Sequence, residues 1–184
     1  VSPYFIPMLI ANMAAGSIAI RFNCRGAAIP AVTACASGSN AVGEALRAIR
    51  HGYADAAIAG GSEAPITDCG LAGFINIKAL SLSEDPDAAS LPFDKRRSGF
   101  VIGEGAGALI LEEYEHARKR GARIYAEVTG YGSTCDAYHI TAPRPDASEG
   151  ARAMKLALSE SSYTGAEHIY VNAHGTGTVL NDSG

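Results

Sequence analysis

A thiol and an imidazole, each set among small neighbours, are the residues of this 184-residue chain best suited to nucleophilic chemistry. Cys35 stands in Ala31-Val-Thr-Ala-Cys-Ala-Ser-Gly-Ser-Asn40. The spacing predicts a strand ending near Val32 and a helix opening near Ser37, so the cysteine meets the unpaired amides of a helix N-terminus. That setting favours the reactive thiolate, and the same amides can receive a developing oxyanion. Ala36, Ser37 and Gly38 leave space above the sulfur. By residue type alone, a buried and inert cysteine accounts for the position as well. His174 lies in Asn172-Ala-His-Gly-Thr-Gly-Thr178, just past the apolar run that begins at Ile169. A glycine-rich loop lets the ring approach a ligand closely, and the threonine hydroxyls can donate to a carbonyl or a polar chain. An ordinary turn is the competing reading. Cysteine and histidine form a candidate nucleophilic pair, although spacing does not bring them together.

Other clusters read as structural. Gly103-Glu-Gly-Ala-Gly107 runs into a strand-like segment, so it matches neither a dinucleotide loop nor a P-loop, and its glycines permit close backbone approach beside the active centre. Arg118-Lys-Arg120 and Arg123 follow Glu112, Glu113 and Glu115 and flank Gly121, the order that a helix dipole and a C-cap favour over a phosphate site. Cys24, Cys35, Cys69 and Cys135 have no Cys-x-x-Cys spacing. They suggest neither zinc, a dithiol site nor a disulfide framework, and fit a reducing, cytoplasmic setting.

The elements that must position these groups alternate between strand and helix, an α/β pattern. Helices are predicted over residues 6–20, 37–52, 113–120 and 148–160, the second closed by Gly52. Strands are predicted over 28–32, 55–60, 100–112, 123–129 and 169–173, and residues 83–92, with two prolines, form a surface loop. Each half of the chain thus has a buried strand ending in a candidate residue, Cys35 or His174.

Composition sets the outer bounds. Glycine (21) and alanine (34) are abundant, tryptophan is absent, and 47% of residues are hydrophobic against 18% charged, which argues against disorder and for close packing of layers. No run reaches the roughly 18 apolar residues of a membrane span. A net charge of −4 and a pI near 5.7 disfavour nonspecific nucleic-acid binding. The opening Val-Ser-Pro-Tyr-Phe-Ile-Pro lacks the pattern of a signal peptide. It also lacks an initiator methionine, and the chain is expected to be a fragment.

Five motifs then occur in a familiar order: Thr33-Ala-Cys-Ala-Ser-Gly38; Ala59-Gly-Gly-Ser-Glu63; Pro92-Phe-Asp94 with Arg97, Gly99-Phe100 and Gly103-Glu-Gly105; Gly130-Tyr-Gly-Ser-Thr-Cys-Asp-Ala-Tyr-His-Ile-Thr141; and Asn172-Ala-His-Gly-Thr-Gly-Thr178. Over essentially its whole length the chain resembles the β-ketoacyl-acyl-carrier-protein synthases, specifically the elongating type II enzymes of fatty-acid synthesis. The resemblance implies a thiolase-like five-layer αβαβα fold, here only its central portion, with 1–121 the later part of the first half and 122–184 the beginning of the second. It implies that Cys35 takes the acyl chain as a thioester, and that His174 polarises the malonyl thioester carbonyl as CO₂ is lost. Thr176 and Thr178 match phosphopantetheine contacts, Phe74 an acyl-pocket aromatic, and Lys78 a basic residue facing the acidic carrier protein. The implied partners are acyl- and malonyl-acyl-carrier protein and a second copy in a homodimer, with no cofactor, metal, nucleic acid or membrane. Ser98 stands where an aspartate is usual and Val179 where a proline is common. The family's second histidine, its lysine and its late gating loop lie beyond Gly184, so this chain alone is expected not to condense substrates. A ketosynthase domain of a polyketide synthase shares this chemistry, and a noncatalytic chain-length partner shares the sequence pattern without the cysteine.

Overall fold

The computed structural model describes residues 1–165 and 168–184. The apolar run near the start forms two helices, α1 (Phe5–Leu9) and α2 (Met13–Phe22), where hydrophobic spacing predicts one. The backbone of Ile10 turns to the extended region, with ψ 134°. No proline or glycine marks this break, so the periodicity runs straight through it. A 3₁₀ turn, Ala34–Ala36, leads into α3 (Ser37–Arg50). That helix stops where expected: Gly52 takes φ +73°, its N–H donates to the Ile49 carbonyl and Tyr53 N–H donates to that of Ala48. A left-handed residue closing a helix in this way is a Schellman cap.

Strand β1 (Ala56–Glu63) pairs with β2 (Gly105–Glu112). Glu113 N–H donates to the Asp55 carbonyl, while Gly60 lies against Gly107 and Ala108, so the residue numbers run in opposite senses and the pair is antiparallel. Between the strands comes α4 (Asp68–Asn76), which sequence spacing did not predict; after them come α5 (Tyr114–Lys119), α6 (Ser148–Glu160) and the single turn α7 (Val179–Asp182). The predicted strands at 28–32, 123–129 and 169–173 form no ladder among the described residues, and 100–104 also falls outside β2. Apolar character gave these segments the look of buried strands. A strand, however, is made by a hydrogen-bonded neighbour, and Ile29, Val32, Tyr125, Tyr170 and Val171 are exposed.

The described chain divides into two compact units, residues 1–61 with 107–128, and residues 62–106 with 129–184. They are built differently. The first has an apolar centre of Ala45 and Leu46 from α3, Ala59 from β1, Leu111 from β2 and Ala117 from α5. Its elements approach closely because small residues meet. A Cβ on Gly60 would overlap the Gly107 carbonyl oxygen, and one on Gly61 would lie 3.4 Å from Gly38 Cα in the first turn of α3. We expect Gly60→Ala to destabilise the protein by about 1–3 kcal/mol, the usual cost of overpacking. The check is the urea midpoint; an unchanged midpoint would contradict this packing.

The basic cluster of α5 belongs to the same unit and is structural, as its spacing predicts. Arg120 clasps Glu112 through both carboxylate oxygens, at 2.7 and 2.6 Å, and His116 bonds the same carboxylate. Arg120 first, then His116, holds the Glu112 carboxyl down to about 2. Arg118 pairs with Glu115 and lies over the Tyr114 ring. Gly121, φ +70°, closes the helix as expected.

In the second unit, by contrast, the described residues that reach full burial are two glycines, Gly99 and Gly177. They are bonded to each other, Gly99 N–H donating to the Gly177 carbonyl at 3.0 Å. No buried apolar side chain accompanies them among the described residues, so hydrogen bonds and one buried ion pair hold this centre.

Candidate active site

Cys35 belongs to the first unit, and Phe74, Lys78, His174, Thr176 and Thr178 to the second; each group is described within its own unit. Cys35 is the middle residue of the 3₁₀ turn and is an exposed, free thiol, not a buried one. The turn is sharp. Ala34 takes φ +51°, a left-handed conformation that costs an ordinary residue about 1 kcal/mol or more. Strain of this kind persists where surrounding contacts enforce it, and here they do. Ser37 Oγ accepts from Thr33 N–H at 2.9 Å and donates to the Ala34 carbonyl at 2.7 Å, while Asn40 Nδ2 donates to Thr33 Oγ1 at 2.6 Å. The sulfur is thereby presented one turn ahead of a 14-residue helix, whose first amides point toward its end.

His174 is exposed and opens the loop to α7. Gly175 and Gly177 both have positive φ, at +55° and +71°. A Cβ on Gly175 would lie 3.3 Å from Phe93 Cε2, and one on Gly177 would lie 2.8 Å from the Gly99 carbonyl oxygen, so the loop fits closely against residues 92–99. The structure brings the two threonines together, with Oγ1 atoms 2.9 Å apart. Thr178 Oγ1 also accepts from Asn181 N–H and so caps α7, while Thr176 Oγ1 accepts from Thr178 N–H, both at 3.4 Å. One hydroxyl proton bridges the pair, either threonine serving as donor, and the other proton is left for a further acceptor. Val179 is the first residue of α7. A helix favours proline at that place, and valine fills it here.

Phe74, on α4, is half-buried and meets Phe100 edge-on, with ring centroids 5.5 Å apart. Phe100 is fixed by Phe100 N–H donating to the Ala79 carbonyl and by Ser81 N–H donating to its own, both at 3.0 Å. Lys78 is exposed just past α4 at φ +55°, the left-handed position that usually goes to glycine. Ser98 is hydrogen-bonded to Ser81 Oγ at 3.1 Å and accepts from Leu82 N–H at 3.2 Å, so the serine holds the 81–82 turn itself.

Sequence reasoning missed Asp182 and gave Arg97 no role. The Asp182 side chain is fully buried. It accepts from Phe93 N–H at 2.7 Å and from Gly177 N–H at 3.2 Å, and Arg97 Nε lies 3.6 Å away. These contacts, led by the Phe93 N–H, hold its carboxyl below the ordinary range. The available signal was an acidic residue four places past the capping Thr178, in a motif that ends with glycines and threonines. Among the described residues no three of His, Cys, Asp and Glu come together as metal ligands would, and no helix is long and apolar enough to cross a membrane.

Comparison with known proteins bears on both halves of the chain. The family "Beta-ketoacyl synthase, N-terminal domain" matches residues 1–117, and "Beta-ketoacyl synthase, C-terminal domain" matches 125–184. The chain is 55% identical to a 3-oxoacyl-[acyl-carrier-protein] synthase 2 of Synechocystis sp., over 98% of this chain and 44% of the relative. It is 50% identical to the Staphylococcus aureus protein of the same name, over 99% of this chain and 45% of the relative. The chain therefore spans somewhat less than half the length of the curated relatives it matches. Among solved structures, a type II polyketide ketosynthase in complex with its acyl-carrier protein, bound to a hexaketide, superposes with TM-score 0.94 at 40% identity, covering 99% of this chain and 45% of that one. A β-ketoacyl synthase from Burkholderia phymatum gives 0.86 at 40% identity, covering 93% and 41%. At this identity the likeness establishes the thiolase-like α/β fold of the solved ketosynthases.

Proposed function

Because this chain belongs to the β-ketoacyl synthase family, we propose that it is the central portion of a 3-oxoacyl-acyl-carrier-protein synthase that elongates fatty acids. Residues 1–121 form the later part of the first half of that enzyme and 122–184 the start of the second. The observation that carries the reading is the setting of Cys35: an exposed thiol on a turn strained at Ala34, immediately ahead of α3.

The chemistry follows from residue types. The Cys35 thiolate attacks the acyl thioester on the carrier protein, the carrier's phosphopantetheine thiolate leaves, and the acyl group is held on the enzyme. Malonyl-acyl-carrier protein then loses CO₂, and the electron pair of the broken bond forms an enolate. His174, donating an N–H to the thioester oxygen, stabilises the charge that grows there. The carbanion attacks the acyl-Cys35 carbonyl and expels the thiolate, giving a 3-oxoacyl chain longer by two carbons. Thr176 and Thr178, one of which keeps a hydroxyl proton to donate, contact the phosphopantetheine arm. Phe74 lines the acyl pocket, and exposed Lys78 faces the acidic carrier protein. No metal or redox group enters these steps. The enzyme acts as a homodimer in a reducing, cytoplasmic setting, for which the four free thiols are a fitting composition.

The fatty-acid reading is favoured over a polyketide one by the relatives: 50–55% identity to the 3-oxoacyl synthases against 40% to the polyketide ketosynthase. A noncatalytic chain-length role is disfavoured by the presence of Cys35. The test uses the full-length protein and acyl-acyl-carrier protein with a labelled acyl group. We expect one label per chain, mapped by peptide analysis to Cys35, and its release as 3-oxoacyl product when malonyl-acyl-carrier protein is added. Label on another cysteine, or none, would reject the assignment.

A further inference from the structure

We propose that Arg97 is a positioning residue for the His174 loop, holding residues 174–182 against residues 92–99 so that His174 and Thr176 keep their working geometry; the catalytic part of this claim rests on the function proposed above. Arg97 is mostly buried, with 18% of its side chain exposed, and its partner Asp182 is fully buried. The guanidinium spreads over both segments. Nη1 donates to the Asp94 carbonyl at 3.0 Å, Nε to that of Thr178 at 3.4 Å and Nη2 to that of Val179 at 3.5 Å. Asp182 completes the clasp from the other side, its two oxygens accepting from Phe93 N–H and Gly177 N–H. The Gly99–Gly177 backbone bond lies within the same clasp, at the two described residues where this unit is fully buried.

The side-chain type fits the task. A planar guanidinium donates in several fixed directions at once, whereas an ammonium is a point charge with a flexible stem. Only a fork reaches the Asp94 carbonyl and the Thr178 and Val179 carbonyls together while facing a carboxylate. Since no buried apolar side chain among the described residues backs this loop, loss of the fork leaves the two glycine-hinged turns at 175 and 177 free to shift. A displacement of about 1 Å at a catalytic group can cost about 100-fold in rate.

A buried ion pair can also serve stability alone, and the experiment separates the two roles. Arg97→Ala and Arg97→Lys are made in the full-length protein. Three quantities are measured: acyl transfer to Cys35, malonyl decarboxylation, and amide hydrogen exchange of residues 174–182. For Arg97→Ala we expect decarboxylation kcat to fall about 30- to 100-fold with KM nearly constant, acyl transfer within about threefold of wild type, and exchange to quicken in 174–182. Arg97→Lys should recover only part of the loss, and added ethylguanidinium should recover more in the alanine variant. Loss of both half-reactions in parallel, or unchanged decarboxylation with unchanged exchange, overturns the proposal. If the alanine variant fails to fold, the lysine variant is read by the same three measurements. A wild-type protein that neither acylates Cys35 nor decarboxylates malonyl-acyl-carrier protein rejects the functional reading instead, and the exchange measurement still decides whether Arg97 holds the loop.

Discussion

Condensation by the full-length enzyme is expected to fall by about 1,000-fold or more when Cys35 is replaced by alanine, because no other group can carry the acyl chain between the half-reactions. The substitution removes one sulfur atom from an exposed turn and leaves the bonds that shape that turn, Ser37 to Thr33 and Ala34 and Asn40 to Thr33, untouched. Stability should therefore change little, and the loss can be read as chemistry. Malonyl decarboxylation should persist in the same variant, since the loop proposed to carry it is built by other residues. The measurement is steady-state 3-oxoacyl formation beside CO₂ release from the same samples. Substantial condensation without Cys35 would remove the thioester intermediate from the mechanism.

His174→Ala should produce the complementary result. Removing a donor aimed at developing negative charge costs about 100- to 1,000-fold, so decarboxylation and condensation should fall by that factor while Cys35 still takes up labelled acyl groups. The imidazole is exposed, and the loop around it is set by Asp182, Arg97 and the 176–178 pair. Its truncation should leave that loop in place. Equal loss of acyl uptake would show that the histidine serves the nucleophile as well, a general-base role different from the one proposed. The two variants together divide the reaction at the thioester.

Much of this architecture was readable in the amino-acid order, and the part that was not has specific causes. Helix α6 was legible to the residue, and α3 and α5 to within two: periodicity marks all three, acidic first turns mark α5 and α6, and closing glycines mark α3 and α5. The 28–32, 123–129 and 169–173 segments misled because apolar content reports what a segment would bury and says nothing about which neighbour supplies its hydrogen bonds. Helix α4 was missed because its glycines and mixed sequence weaken the periodic signal, though Thr67 caps it through Gly70 N–H. Cys35 and His174 were visible by type and by motif. Arg97 and Asp182 were not, since the partners that join the two segments lie 81 to 89 residues away and are mostly backbone groups, which leave no trace in local spacing. The strained Ala34 was equally silent, because alanine carries no preference for a left-handed turn as glycine or asparagine does.

Thr178 illustrates what such an arrangement does to the reading of variation. Its single oxygen closes the first turn of α7 and also touches Thr176 at the proposed substrate face. A substitution scan that scores growth or turnover would find this position intolerant, yet could not divide that intolerance between ligand and scaffold. Serine keeps the oxygen and discards the methyl, so it is the exchange through which the position can drift without either demand being felt. The information stored at this site is therefore one atom's worth, shared by two requirements that evolution cannot adjust separately.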